Sequence, residues 1–430
     1  MKKMMEERIM KLKLKVISLC VIAAVLVAAA GALYSCASAR VSAGELSAEY
    51  ESKREGEVKV ADGFTDAAMK FYTELFKSVV AGEEKDENVL VSPLSVYTAL
   101  SMTANGARDK TLSQMEDTLG LDIDKLNESM AAYIEGLPSS DKYKMSMANS
   151  IWFRENELTV SPDFLQKNAD YYGASVFSAP FDKSTVKDIN KWVKEKTDGM
   201  IEDIVDDIPP SVVMYLINAL AFDAEWETIY NKNDVSEGVF TTADGKEQKV
   251  EFMTGEEDKY LKLDNAEGFI RYYKDRKYAF AALLPEEGVD IADFIASLDA
   301  EALSDSLKNA ASELVIASIP KFEYDYDTEL SKTLTSMGSV NAFDPDKADF
   351  SGIGTTGLGN MFISKVIHKT YIAVAERGTR AGAATVVEID TKSAPLIEHT
   401  VKLDRPFVYM IIDTQYNLPI FIGSVMEIDD

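Results

Sequence analysis

The chain is predicted to fold as a single α+β domain. Helix-period apolar stripes crowd its first half, strand-length apolar runs crowd its second, and no Pro/Gly-rich linker divides residues 63–430. Segregated rather than alternating elements argue against βα units. With 430 residues, 46% of them hydrophobic and 10% aromatic, there is material for one large core.

In chain order, residues 1–35 read as an export signal. Lys2, Lys3, Arg8, Lys11, Lys13 and Lys15 make a basic start, diluted by Glu6 and Glu7, and an apolar run follows from Val16 to Ser35. Its close, Leu33-Tyr34-Ser35-Cys36, resembles a bacterial lipoprotein signal, although Tyr34 is unusual inside that box. The resemblance implies that Cys36 becomes a lipidated N-terminus and anchors the exported chain on the outer face of a membrane. An uncleaved membrane-spanning anchor and an ordinary cleaved secretion signal are the alternatives. Removing residues 1–35 takes the formal charge from −27 to −31. Cys20 lies in the signal and Cys36 would carry lipid, so the mature chain would have no thiol for a disulfide and must hold by packing. Residues 36–61, small and charged, read as a polar tether, which leaves 62–430 as the folded domain.

That domain opens with Phe64, Ala68, Phe71, Leu75 and Val79, spaced for the buried stripe of a helix. Asn88-Val-Leu-Val-Ser-Pro-Leu-Ser95 reads as a strand running into a helix start, with Ser92 placed to cap and Pro93 in the first turn. Thr185 to Ile201 reads as a helix and turn closed by Gly199. Apolar runs at 212–222, 278–284, 314–319, 366–375, 406–412 and 420–425 have strand length.

Residues 376–393 read as a strand without a sheet. From Thr379 to Lys392, one face carries Thr379, Ala381, Ala383, Thr385, Val387, Ile389 and Thr391. The other carries Arg380, Gly382, Ala384, Val386, Glu388, Asp390 and Lys392, with every charge of the segment. Such a segment can slide into a sheet, small end first, without burying a charge. It ends at Lys392-Ser393, a bond suited to a protease whose specificity pocket holds an acid. Val387-Glu-Ile-Asp390 would instead suit cleavage after Asp390, and the spacing leaves the bond open by one or two residues.

Other chemistries lack support. A chain this acidic does not track nucleic-acid phosphates. Gly352-Ile-Gly-Thr-Thr-Gly357 has the letters of a dinucleotide fingerprint, but loop-like sequence precedes it where a strand is needed. The two histidines, His368 and His399, are too few for a His-rich metal centre. His368 sits in a strand-like run and reads as a core histidine with satisfied hydrogen bonds. No Gly-x-Ser-x-Gly elbow is present. No cofactor or metal is expected.

Several spaced blocks resemble the serpin family over nearly all of residues 63–428. They are Asn88–Ser95, Asn149-Ser-Ile-Trp-Phe153, Ile189-Asn-Lys-Trp-Val193 with Thr197 and Gly199, Asn218–Trp226, and Asp404-Arg-Pro-Phe407 with Phe421-Ile-Gly423. The resemblance implies a large central β-sheet with further sheets, about eight or nine helices, and an exposed reactive-centre loop near the C-terminus. It implies a serine protease inhibitor rather than an enzyme. The target cuts the loop and forms an acyl-enzyme, and the loop then inserts into the central sheet and traps the protease in a covalent 1:1 complex. The family spacing puts Lys392 and Ser393 at the scissile bond, hence a trypsin-like target. It puts Glu376, Gly378, Thr379, Ala381, Gly382, Ala383, Ala384 and Thr385 in the hinge. Ser92, Ser95, Asn218 and His368 match the polar cluster where the sheet parts, Trp226 the aromatic where the loop first inserts, and Lys321 the ion-pair partner of Glu376. Arg377 and Arg380 depart from the family's usual acidic or small hinge residues. Arg380 faces outward, and Arg377 leaves the hinge more basic. The chain is expected to act as a monomer, and a non-inhibitory serpin is the alternative.

Overall fold

The computed structural model describes residues 41–155, 158–210, 212–357, 360–379 and 398–428. Helix α1 (Phe64–Val80) turns Phe64, Ala68, Phe71, Leu75 and Val79 inward, each at most 3% exposed. In α2 (Pro93–Ala104) the Ser92 hydroxyl accepts the Ser95 N–H at 3.4 Å and Pro93 fills the first turn, where its missing N–H costs nothing. This helix is buried all round because it lies between two sheets. The others are α3 (Asp109–Leu119), α4 (Ile123–Gly136), α5 (Pro162–Tyr172), α6 (Lys183–Lys196), α7 (Ile291–Ser297), α8 (Ala300–Lys308) and α9 (Ser331–Ser336). Helix α6 starts on the Asp182 carboxylate, which accepts from Ser184 and Thr185 N–H, and Gly199 beyond it returns its N–H to Lys194 O at φ 74°.

The strands are β1 (Gly44–Glu45), β2 (Val89–Val91), β3 (Tyr143–Arg154), β4 (Leu158–Val160), β5 (Ser175–Ala179), β6 (Met214–Glu225), β7 (Val235–Thr241), β8 (Glu247–Glu257), β9 (Tyr260–Leu263) and β10 (Ala266–Tyr272). They continue as β11 (Tyr278–Pro285), β12 (Val315–Pro320), β13 (Phe322–Glu329), β14 (Gly354–Thr356), β15 (Lys365–Ala375), β16 (Gly378–Thr379), β17 (His399–Lys402), β18 (Phe407–Asp413) and β19 (Pro419–Val425). Every strand-length apolar run of the sequence is one of these. The large sheet has the order β1-β5-β3-β6-β16-β15-β13. A second runs β2-β19-β18-β11-β10-β9, a third β17-β12-β8-β7, and β14 pairs with β4. In the second sheet β11, β18 and β19 are buried along their whole length, as continuous apolar runs require.

One reading of the sequence changes. The stretch taken as a free tether is, from Ala43 onward, packed on the domain. Gly44 and Glu45 pair antiparallel with Ser178 and Phe177, covering the outer edge of β5. Ala43 N–H reaches Asp188 at 2.9 Å, Ala61 N–H reaches Ser129 Oγ at 3.0 Å, and Leu46, Tyr50 and Val60 rest against the core. Three scattered apolar residues and a row of backbone hydrogen bonds suffice, and composition registers neither. The glycine-rich stretch at 352–357 is a turn leading into β14, with the Arg108 side chain packed against Gly352, so no phosphate-binding turn opens a helix there.

Candidate functional site

At the centre of the large sheet lies a parallel seam, distinct from the parallel pair β3–β5 nearer its edge. From Lys365–Tyr215 to Thr370–Leu220, β15 and β6 run parallel and in register; above Thr370 that ladder stops. Asn149 on β3, Asn218 on β6 and His368 on β15 fall in one row across this seam, since Asn149 pairs with Asn218 and Asn218 with His368. The alternation of β15 turns His368 inward, fully buried. Its Nε2 accepts the Ser92 backbone N–H at 3.0 Å, so the ring proton sits on Nδ1 and is donated to Asn218 Oδ1 at 2.6 Å. Asn218 Nδ2 donates to Asn149 Oδ1 at 2.8 Å, and the Ser95 hydroxyl donates to the same oxygen at 3.1 Å. Burial holds the His368 ring down at about 3, neutral under ordinary conditions. Because the ring meets the backbone of Ser92 and not its hydroxyl, the Ser–His relay of a hydrolase is not formed. The row instead clips β6, β15 and the start of α2 together.

At the top of the seam the chain turns back on itself. Glu376 and Arg377 make the turn, and Gly378–Thr379 enters the sheet as β16, antiparallel both to β15 (Val374↔Thr379) and to β6 (Ala224↔Thr379). A Cβ on residue 378 would lie 1.8 Å from Ala224 O, so only glycine lets the backbones approach this closely. Thr379 is 1% exposed, and its Oγ1 lies 2.5 Å from Tyr273 Oη. Trp226 stacks on Tyr273 at 4.4 Å between ring centres. It donates its indole N–H to Ala375 O and its backbone N–H to Arg377 O, both at 2.8 Å. Lys321 Nζ bridges Glu376 at 2.9 Å and Glu251 at 2.8 Å. Desolvation opposes ionisation of Glu376, but the hydrogen bond from Lys321 and its charge outweigh it and hold this carboxyl low.

The structure therefore brings Ser92, Ser95, Asn218 and His368 into one network, and Trp226, Lys321, Glu376, Gly378 and Thr379 into a second. Ala381, Gly382, Ala383, Ala384, Thr385, Arg380, Lys392 and Ser393 lie outside the described residues, as does Cys36. Arg377 sends Nη2 to Glu225 at 3.3 Å, a carboxylate that Lys142 shares at 3.4 Å. Sequence reasoning missed Asn149, the hub of the row, and Tyr273, the partner of Thr379. Asn149 lay inside a recognised block, but its position opposite Asn218 is a matter of strand register. Among the described residues no group of acidic, His or Cys side chains is placed to hold a metal ion.

Comparison with known proteins points one way. The family profile described as Serpin (serine protease inhibitor) matches residues 66–428. An uncharacterised serpin-like protein of Thermococcus kodakarensis is 30% identical over 398 residues, covering 89% of each chain. The crystal structure of tengpin, a thermophilic serpin, in its native state superposes with a TM-score of 0.86 at 48% identity, covering 90% of this chain and all of that one. Tengpin in its latent state, also 48% identical, gives 0.77, covering 87% of this chain and all of that one.

Proposed function

The chain belongs to the serpin family, and from that premise we propose that it inhibits a trypsin-like serine protease as a single-use trap. In this reading the protease serine attacks the Lys392 carbonyl, the Lys392–Ser393 bond breaks with release of the Ser393 amine, and the protease stays bound as an ester. The cut strand then runs into the large sheet between β6 and β15. The observation that carries the reading is the seated hinge. Gly378–Thr379 already pairs with both strands, four residues beyond the last rung of their mutual ladder. Ala381, Ala383, Thr385, Val387, Ile389 and Thr391 would follow Thr379 inward by alternation, and the charged residues would stay outside. The thirteen steps from Thr379 to Lys392 at ~3.3 Å each carry the ester on the order of 43 Å. The work comes from two new ladders in place of the one β6–β15 ladder that must open, together with a newly buried apolar face, and serpins are a standing example of such strand addition.

Glu388 and Asp390 close to the bond would select among trypsin-like enzymes by charge. The basic and apolar N-terminus supports export with lipidation at Cys36, which would hold the trap at a membrane surface. The test is incubation of the full chain with trypsin. A denaturant-stable 1:1 complex and a released C-terminal fragment beginning at Ser393 are expected. Cleavage without complex overturns the inhibitory reading, and a complex formed instead with an Asp-specific serine protease, releasing a fragment beginning at Thr391, moves the bond to the one after Asp390.

A further inference from the structure

Behind the hinge lies a buried ion pair that neither the motifs nor the trapping scheme employ. Arg271 on β10 and Glu257 on β8 are 4% and 8% exposed and in direct contact. The Arg271 guanidinium covers the Tyr230 ring at 3.9 Å and the Trp226 ring at 5.0 Å, and Nη2 donates to Thr228 O. Gly255 makes the room: a Cβ there would meet the Tyr230 ring at 3.1 Å and Arg271 Nη1 at 3.5 Å. Tyr230 in turn gives its N–H to Glu376 O at 3.0 Å, and Trp226 stacks on the Tyr273 that holds Thr379. One guanidinium thus braces two of the three aromatic residues that tie down the hinge. On its other side, Glu257 is in register with Val315 of β12, and Val315 with His399 of β17, the strand to which the loop returns.

Burial pushes the Glu257 carboxyl up, against the pull of Arg271. A pair desolvated this far is a poor source of stability; the same volume filled by apolar side chains would serve the fold about as well. What apolar side chains cannot supply is a flat cation fixed by a fork of hydrogen bonds over two rings.

We infer that Arg271, oriented by Glu257, is a positioning residue for the reactive loop. It sets the Trp226–Tyr273 platform on which Thr379 is seated and ties that seat to the strands at the loop's far end. The inference rests on the trapping reading only for its effect on inhibition; the seat itself is measurable without a protease.

The experiment is hydrogen-exchange mass spectrometry on the full chain, comparing wild type with Arg271→Met, the double variant Glu257→Gln with Arg271→Met, and Tyr273→Phe. The double variant leaves no unpaired buried charge and is expected to melt close to wild type. Its amides at Gly378–Thr379 should nevertheless exchange about tenfold faster, and those of His399–Lys402 should move in the same direction. Adding Tyr273→Phe should cause little further change at Thr379, because both act through one platform. Hinge amides at the wild-type rate in a folded double variant overturn the inference, as does full additivity with Tyr273→Phe. Failure of the wild type to trap trypsin would sink the inhibitory reading and leave the exchange result standing.

Discussion

Protonating His368 should release the row of side chains that clips β15 to β6. Both ring nitrogens are engaged: Nδ1 donates to Asn218 and Nε2 accepts from Ser92. A second proton on Nε2 would set a donor against the Ser92 N–H, a donor. Burial lowers the ring from its ordinary value of 6.5 to about 3. The folded value lies below the unfolded one. Between them the unfolded chain takes up a proton that the folded chain refuses, so the stability tied to this group is complete above about pH 6.5 and drains away as pH falls toward 3. Going from pH 7.5 to 4.5 crosses about two units of that window, so the loss is ~2.7 kcal/mol at ~1.4 kcal/mol per unit. The assay is the urea midpoint of wild type and His368→Gln at constant ionic strength over that range. Glutamine keeps an acceptor and a donor but does not titrate. The buried carboxyls Asp413 and Glu257, which burial pushes up, contribute with the opposite sign and cancel between the two proteins. The wild-type advantage should shrink by ~2.7 kcal/mol; parallel profiles would refute the reasoning.

Thr379→Arg would force an unpaired guanidinium into a position 1% exposed, at a cost of about 3–5 kcal/mol; the variant should be cut by trypsin without forming a denaturant-stable complex, and undiminished trapping would count against insertion. Lys321→Ala removes the part-exposed bridge to Glu376 and the more exposed one to Glu251, so the melting temperature should fall by the equivalent of only about 0.5–1 kcal/mol, and a larger loss would mean that Glu376 is left stranded. Cys36→Ala should abolish metabolic labelling of the chain with fatty acid and release it from the membrane fraction, whereas label retained by the variant would exclude that cysteine as the anchor.

Much of the fold is written in local pattern. The inward alternation of β15, the stripe of α1 and the cap at Ser92 each need only a few neighbouring residues to be seen, and all three are present. What escaped depends on register between distant strands. Asn149 acquires its role only by standing opposite Asn218, and Tyr273 only because its strand end reaches Thr379. Arg271 and Glu257 are two charges among many in an acidic chain, and nothing around them announces burial. The tether misled because pairing to the edge of β5 is a backbone property, and backbone hydrogen bonds leave no mark on composition.

The parallel seam also bears on how the sheet comes to exist. β15 has two possible neighbours on that side: its own downstream chain, one tight turn away, and β6, with His368 and Asn218 separated by 150 positions. Loop-closure entropy favours the nearby partner by roughly 4 kcal/mol, and distant pairings form slowly. A freshly made chain is therefore in a race, because the hairpin that would fill the seam is the easier contact to make. Synthesis from the N-terminus tilts the race the other way, for β3 and β6 can be laid down before β15 emerges. On this view the closed seam records the order in which its strands arrived as well as their energies.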